Sequence, residues 1–182
     1  MASRYDDELW ELVPDDPGPP PRGLAEFVRG LGRVERALDV GCGDGRLSAA
    51  LDARELTVAD VSRVALERAR ARLRQAVVVE LDPDSPFPLG DAEFDLVLCA
   101  ETLEHVRDVQ LLLSEIRRVL RPGGTLALTT PSSPPLIRPP DPLSPHLRML
   151  TRRSLGRLLE ELGFELDSLR RRSGTLLALA RR

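Results

Sequence analysis

Lysine is missing altogether: all 26 basic residues are arginine. Nothing in the chemistry of the chain calls for that, so we attribute it to a high-GC coding bias. Cysteine is scarce as well, and Cys42 with Cys99 are too few for a disulfide framework. No apolar run is long enough to span a membrane, and no signal-like segment follows the charged start "MASRYDDELW". Positive charge is not in excess either. A formal net charge of -3 argues against a general nucleic-acid binder, which ordinarily needs a basic face. Together these absences imply a cytoplasmic, reduced, soluble protein. Its 182 residues fit one domain, large enough to bury a real core.

Proline is present in quantity and divides the chain. "VPDDPGPPPRG" (13–23) separates an N-terminal segment, residues 1–21, from a body spanning 22–182. "PSSPPLIRPPDPLSP" (131–145) is neither helix nor central strand, because proline lacks the N–H and clashes with the preceding turn. Between and after these stretches, short apolar runs alternate with helical patterns. "RALDVG" (36–41), "ELTVAD" (55–60), "AVVVEL" (76–81), "FDLVLCA" (94–100) and "TLALTTP" (125–131) read as strands. "DGRLSAALDA" (44–53) reads as a helix, as does "VSRVALERARARLRQ" (61–75), with Ser62 as N-cap and Val64, Leu66, Ala69 and Leu73 inward. "DVQLLLSEIRRVL" (108–120) is a third helix, stopped by "RPGG", and "TRRSLGRLLEELG" (151–163) a fourth. "FELDSLR" and "TLLALAR" supply two more strands. The alternation predicts an α/β fold with an open, mostly parallel sheet and helices on both faces. Its ligand-facing loops gather at the carboxyl ends of the strands.

"DVGCGDG" (39–45) follows the first strand, and its glycines at 41, 43 and 45 allow a tight turn and close approach of a ligand to the backbone. Asp60 ends the second strand, where a carboxylate can accept both hydroxyls of a ribose. The ligand is either a dinucleotide or S-adenosylmethionine. Here the spacing is G-x-G-x-G, with acids at Asp39 and Asp44 that repel a pyrophosphate and favour a cationic sulfonium and ammonium.

Four segments in order, "ALDVGCGDGRLSAAL", "VADVSRVALERAR", "SPFPLGDAEFDLVLCAETLEHV" and "EIRRVLRPGGTLALTTP", resemble class I S-adenosylmethionine-dependent methyltransferases. The resemblance covers about residues 22–180 and implies a Rossmann-like seven-stranded sheet whose last strand is antiparallel. It places Asp39, Gly41 and Gly43 at the methionine end of S-adenosylmethionine, Asp60 at the ribose and Val61 on the adenine. After the third strand, Glu80 with the Leu81 backbone, or Asp82, would receive the adenine amino group, and Asp82 is favoured. Cys42 and Cys99 would line the pocket as small apolar groups, with no nucleophilic role. Tyr5 and Trp10, the only tyrosine and tryptophan, would roof it.

The loop after the fourth strand, "AETLEHV", concentrates polar chemistry. A helical turn over 101–105 would set Glu101, Glu104 and His105 on one face. His105 has two readings. It is a general base for the acceptor hydroxyl or amine, an imidazole titrating near pH ~6.5 in the ordinary case. Alternatively, E-x-x-E-H resembles the motif of metal-dependent ubiquinone-pathway O-methyltransferases and RNA 3′-end 2′-O-methyltransferases. Glu101, Glu104, His105 and His146 would then ligate Mg²⁺ or Mn²⁺. The implied activity is methyl transfer to an oxygen or nitrogen of a small molecule. RNA 2′-O-methylation, nicotinamide-dependent oxidoreduction and a non-catalytic partner subunit are the competing readings.

Overall fold

The computed structural model describes residues 2–132 and 147–182, with side chains from residue 6 onward. The strands are β1 (Arg33–Val40), β2 (Asp52–Asp60), β3 (Val77–Glu80), β4 (Phe94–Ala100), β5 (Leu120–Pro131), β6 (Glu165–Arg172) and β7 (Thr175–Arg181). The helices are α1 (Ala2–Leu12), α2 (Arg22–Arg29), α3 (Arg63–Arg72), α4 (Val109–Val119) and α5 (Arg152–Glu161). All seven strands form one sheet in the order β3-β2-β1-β4-β5-β7-β6. The first five are parallel, and β7 runs antiparallel to both β5 and β6. The reversal is local in origin. Ser173 and Gly174, the two residues joining β6 to β7, both have positive φ (49° and 86°), the requirement of a tight hairpin turn.

Side-chain alternation along β4 builds both layers of the core. Val97 and Cys99 pack with Leu112, Leu113 and Ile116 of α4 and Leu155 and Leu159 of α5. Leu96 and Leu98 face Val28 of α2, while Leu66 and Ala69 of α3 cover Val58 of β2. Local signals set the helix starts. Ser62, Asp108 and Thr151 each accept a hydrogen bond from the backbone N–H three residues on, as N-caps do. In α3 the buried face is Ala65, Leu66 and Ala69, with Val64 and Leu73 half-buried at its flanks.

Two expectations are corrected. The helix over 44–53 does not form; one 3₁₀ turn, Ser48–Ala50, replaces it, and β2 already begins at Asp52. The pairing register explains this. Arg33 pairs with Asp52 and Val40 with Ala59, so residues 41–51 must return the whole length of an eight-residue strand. That span is roughly 26 Å at 3.3 Å per residue. Eleven helical residues would cover only about 16 Å, so a helix does not fill the connection. It is made instead by successive turns, with Gly45 N–H donating to the Cys42 carbonyl and Ala49 N–H to the Gly45 carbonyl. The second correction concerns "RPGG", which lies inside β5 rather than between helix and strand. Pairing with β4 breaks after Phe94–Leu120 and resumes at Leu96–Thr125, and Gly123 takes a φ of 77° at the irregularity.

Candidate active site

The strand order reverses direction between β1 and β4, and the loops after β1, β2 and β4 meet there at the carboxyl edge. The glycine loop is built mainly by the backbone. Gly41 N–H and Cys42 N–H both donate to the Ala59 carbonyl, at 2.8 and 3.1 Å. Gly41 has a φ of 74°, and a Cβ on it would sit 2.3 Å from Thr102 Oγ1, so only glycine fits. Gly43 N–H donates to Asp60 Oδ2 (2.8 Å) and Ser62 N–H to Oδ1 (3.0 Å). Burial raises the Asp60 pKa, and the N–H donors oppose that rise. Asp39 is 2% exposed, and Ser48 Oγ donates to its Oδ2 at 2.6 Å. Burial pushes the Asp39 carboxyl up to about 7, although the Ser48 bond works the other way. Burial likewise pushes the Cys42 thiol up, which leaves a neutral apolar group rather than a nucleophile. Asp44 differs from Asp39: Arg46 and Arg72 both pair with it, at 3.0 and 3.2 Å. Its charge is therefore compensated, whereas Asp39 and Asp60 have no arginine partner among the described residues.

The N-terminal segment lies on this loop. Trp10 packs so closely on Gly43 that an added Cβ there would be 2.5 Å from the indole. The Arg68 guanidinium stands 5.9 Å from the Trp10 ring centroid and donates to the Val13 carbonyl at 2.9 Å. Arg46 reaches the Gly18 carbonyl at 3.1 Å. Asp7 Oδ1 accepts from Ser62 Oγ at 2.7 Å, beside the end of β2. Asp7, Ser48 and Thr102 escaped the sequence reading, since no local motif marks them. The Tyr5 side chain lies outside the described residues.

At the third strand, Leu81 is 6% exposed and its N–H donates to the Asp60 carbonyl at 2.9 Å. Asp82 is exposed, and its carboxylate is engaged by Asp84 N–H and Ser85 Oγ in its own turn. Glu80 pairs with Arg63 at 2.9 Å. Val61 is half-buried against the main core. Cys99 is completely buried among core side chains of β4.

The loop after β4 departs from the expected helical turn. Glu101 has a φ of 51°, a left-handed conformation that costs a non-glycine residue roughly 1–3 kcal/mol. Thr129 Oγ1 donates to Glu101 Oε1 at 2.8 Å, and Thr130 Oγ1 donates to Glu104 Oε2 at 2.9 Å. Thr129 and Thr130 are consecutive in β5, so their side chains point to opposite faces of the sheet. Glu101 and Glu104 are thus each held by a different threonine, from opposite faces of β5. Glu104 is 2% exposed, and its Oε1 lies 4.0 Å from His105 Nε2. The His105 side chain itself is 42% exposed. Among the described residues no group of three His, Cys, Asp or Glu side chains is arranged to hold a metal ion. His146, the fourth expected ligand, lies outside the described residues.

The profile of the family described as "Methyltransferase domain" matches residues 38–128, which spans β1 through most of β5. The chain belongs to the class I S-adenosylmethionine-dependent methyltransferases. A probable S-adenosylmethionine-dependent methyltransferase of Mycolicibacterium smegmatis is 36% identical over 144 residues, covering 71% of this chain and 52% of that protein. A ubiquinone biosynthesis O-methyltransferase of Alkalilimnicola ehrlichii is 37% identical over 143 residues, covering 71% and 55%. The chain thus spans about half the length of the curated relatives it matches. A provisionally assigned methyltransferase from Bacillus halodurans superposes with a TM-score of 0.74, over 88% of this chain and 99% of that one. At 21% identity, that likeness concerns the fold. Among the described residues no helix of the methyltransferase is long and apolar enough to cross a membrane.

Proposed function

We propose that this methyltransferase methylates an oxygen or nitrogen of a small molecule, with His105 as the general base. The observation that carries the reading is the Glu104–His105 pair on the β4 loop. Glu104 is buried and fixed by Thr130, while His105 is exposed at the carboxyl edge. A carboxylate fixed behind an imidazole stabilises the imidazolium formed when the acceptor gives up its proton. S-adenosylmethionine, when bound, supplies a methyl carbon already activated by its sulfonium. The protein then contributes positioning, which is worth roughly 7–11 kcal/mol in well-oriented reactions, and removal of the acceptor proton.

The residues fit that cofactor. Asp60 uses one N–H bond on each oxygen and keeps lone pairs for ribose hydroxyls, and Asp39 offers a carboxylate to the ammonium group. Gly41 and Gly43 keep the loop free of Cβ atoms, with the backbone of Leu81 beside Asp60. For the adenine, Asp82 is the acidic candidate and Val61 the packing surface. Residues 1–21 act as a cap, supported by Trp10 on Gly43 and by Asp7 on Ser62. A divalent ion is not part of this reading, because among the described residues no group of three His, Cys, Asp or Glu side chains is arranged to hold one.

The test has two parts. Saturating S-adenosylhomocysteine at about 100 times its Kd should stabilise the protein by about 2.7 kcal/mol in thermal unfolding, and NADH should not. His105→Gln should retain that shift while methyl transfer to a panel of phenols, amines and carboxylic acids falls about 10²–10⁴-fold. No shift with S-adenosylhomocysteine, or full activity in His105→Gln, overturns the proposal.

A further inference from the structure

Beside the β4 loop an open cleft of about 570 Å³ lies between the start of α4 and α5. Val109, Leu150 and Leu158 form its apolar walls, and Arg107, Asp108 and Arg148 stand at its polar rim. We propose that this cleft binds the methyl acceptor through a carboxylate, with Arg148 and Arg107 recognising the charge and the walls taking an apolar body. The inference rests on the placement of the acceptor at the β4 loop and adds the acceptor's chemical class.

Arg148 is the centre of the argument. It is half-buried, yet among the described residues no carboxylate lies within ion-pair distance of it. Among the described residues its guanidinium donates only to backbone carbonyls, to Arg107 O at 2.9 Å and, more weakly, to Leu103 O at 3.5 Å. A guanidinium has five N–H donors in a planar fork, so donors remain for a planar bidentate partner. Partial removal from water destabilises its charge and lowers its pKa, a cost that an incoming anion would relieve. Arg107 is exposed, and its side chain makes no hydrogen bond or ion pair among the described residues.

The third charged group decides which anion fits. Asp108 lies on the same rim, with Oδ1 accepting from Leu111 N–H at 2.8 Å as the α4 cap. On the rim itself two cations and one anion leave a single positive charge, which matches a monoanionic carboxylate better than a dianionic phosphate. Asp6, which interacts electrostatically with Arg107 and His105 from outside the cleft lining, disfavours a second negative charge further. The position is also suited to the reaction. The two carbonyls held by Arg148, at 103 and 107, bracket His105, and Leu147 N–H fastens to the Glu104 carbonyl at 2.8 Å. A head group held by Arg148 is therefore tied to the loop that carries the base.

The test is calorimetric titration of the protein saturated with S-adenosylhomocysteine, using octanoate, octanamide and octylphosphonate. Octanoate should bind about tenfold or more tightly than its neutral isostere octanamide, and more tightly than octylphosphonate. Arg148→Gln and Arg107→Gln should each weaken octanoate binding several-fold and leave octanamide unchanged. Arg107→Gln guards against a fold defect, because that side chain braces nothing in the described structure, and retained S-adenosylhomocysteine binding certifies each variant. Octanoate failing to bind at millimolar concentration, matching octanamide, losing to octylphosphonate, or binding both variants unchanged overturns the inference. If S-adenosylhomocysteine itself fails to bind, the functional reading falls. The same octanoate series on the free protein then decides the cleft separately.

Discussion

The two halves of the site are built by different means. On the β1–β2 side, main-chain groups do most of the work: two N–H groups close on the Ala59 carbonyl, and two more grip Asp60. On the β4 side, side-chain hydroxyls from another strand do it, with Thr129 and Thr130 each holding one glutamate. A backbone cradle tolerates changes of side chain as long as glycine stays where no Cβ fits. A hydroxyl-braced loop depends on two residues more than twenty positions away. Thr102 joins the halves, packing on Gly41 while donating to the carbonyls of Ala100 (3.0 Å) and Val40 (3.3 Å). We infer that the first half suits a ligand common to a family and the second an acceptor that varies.

Three substitutions test that contrast. The largest effect belongs to Asp39. Its folded-state carboxyl titrates at about 7 against an ordinary 3.8, so the folded protein holds a proton that the unfolded chain releases. The stability tied to this proton is full below about pH 4 and is lost as pH rises through 7. About three pH units at ~1.4 kcal/mol each set its scale at about 4 kcal/mol. Asp39→Asn should flatten the decline of urea-unfolding stability between about pH 4 and 7 and make the free protein more stable above it. It should also weaken S-adenosylhomocysteine binding, since the ammonium group loses its carboxylate. An unchanged pH profile would remove Asp39 from the buried cofactor half.

Gly41→Ala comes next. The left-handed φ costs about 1–2 kcal/mol, and the methyl group meets Thr102, so a loss of about 2–3 kcal/mol in urea unfolding is expected. Stability equal to the parent protein would show that the loop can move away from Thr102, and that the two halves are not rigidly joined. Thr130→Val gives the smallest change in stability, about 1–2 kcal/mol, by leaving the buried Glu104 oxygen without its donor. Its sharper readout is kinetic. Turnover should fall while S-adenosylhomocysteine affinity holds, and equal losses in both would erase the distinction between the halves.

Much of the sheet was legible in the sequence because its signals are local. β4 (94–100) and β7 (175–181) coincide with apolar runs, and the cap at Ser62 marks the helix that follows it. The helix over 44–53 was misread because its composition suits a helix, whereas the length of the return path does not. That length depends on how far β1 and β2 pair, which no local window contains. Likewise, the spacing E-x-x-E-H suggested a helical turn from Glu101, whereas Glu101 takes a left-handed φ and two consecutive threonines of β5 each hold one glutamate.

By itself the sequence determined the order of the seven strands along the chain, the glycine positions of the first loop, and Asp60 at the end of the second strand. Those features follow from periodicity, from the φ that only glycine adopts freely, and from short-range spacing. Tertiary structure alone decided that Asp44 is neutralised by Arg72 from α3, that Trp10 rests on Gly43, and that Arg148 keeps unspent donors beside His105. Each of these pairs partners 28 or more residues apart, brought together by crossovers of the sheet, and their charge and burial exist only once the chain has closed.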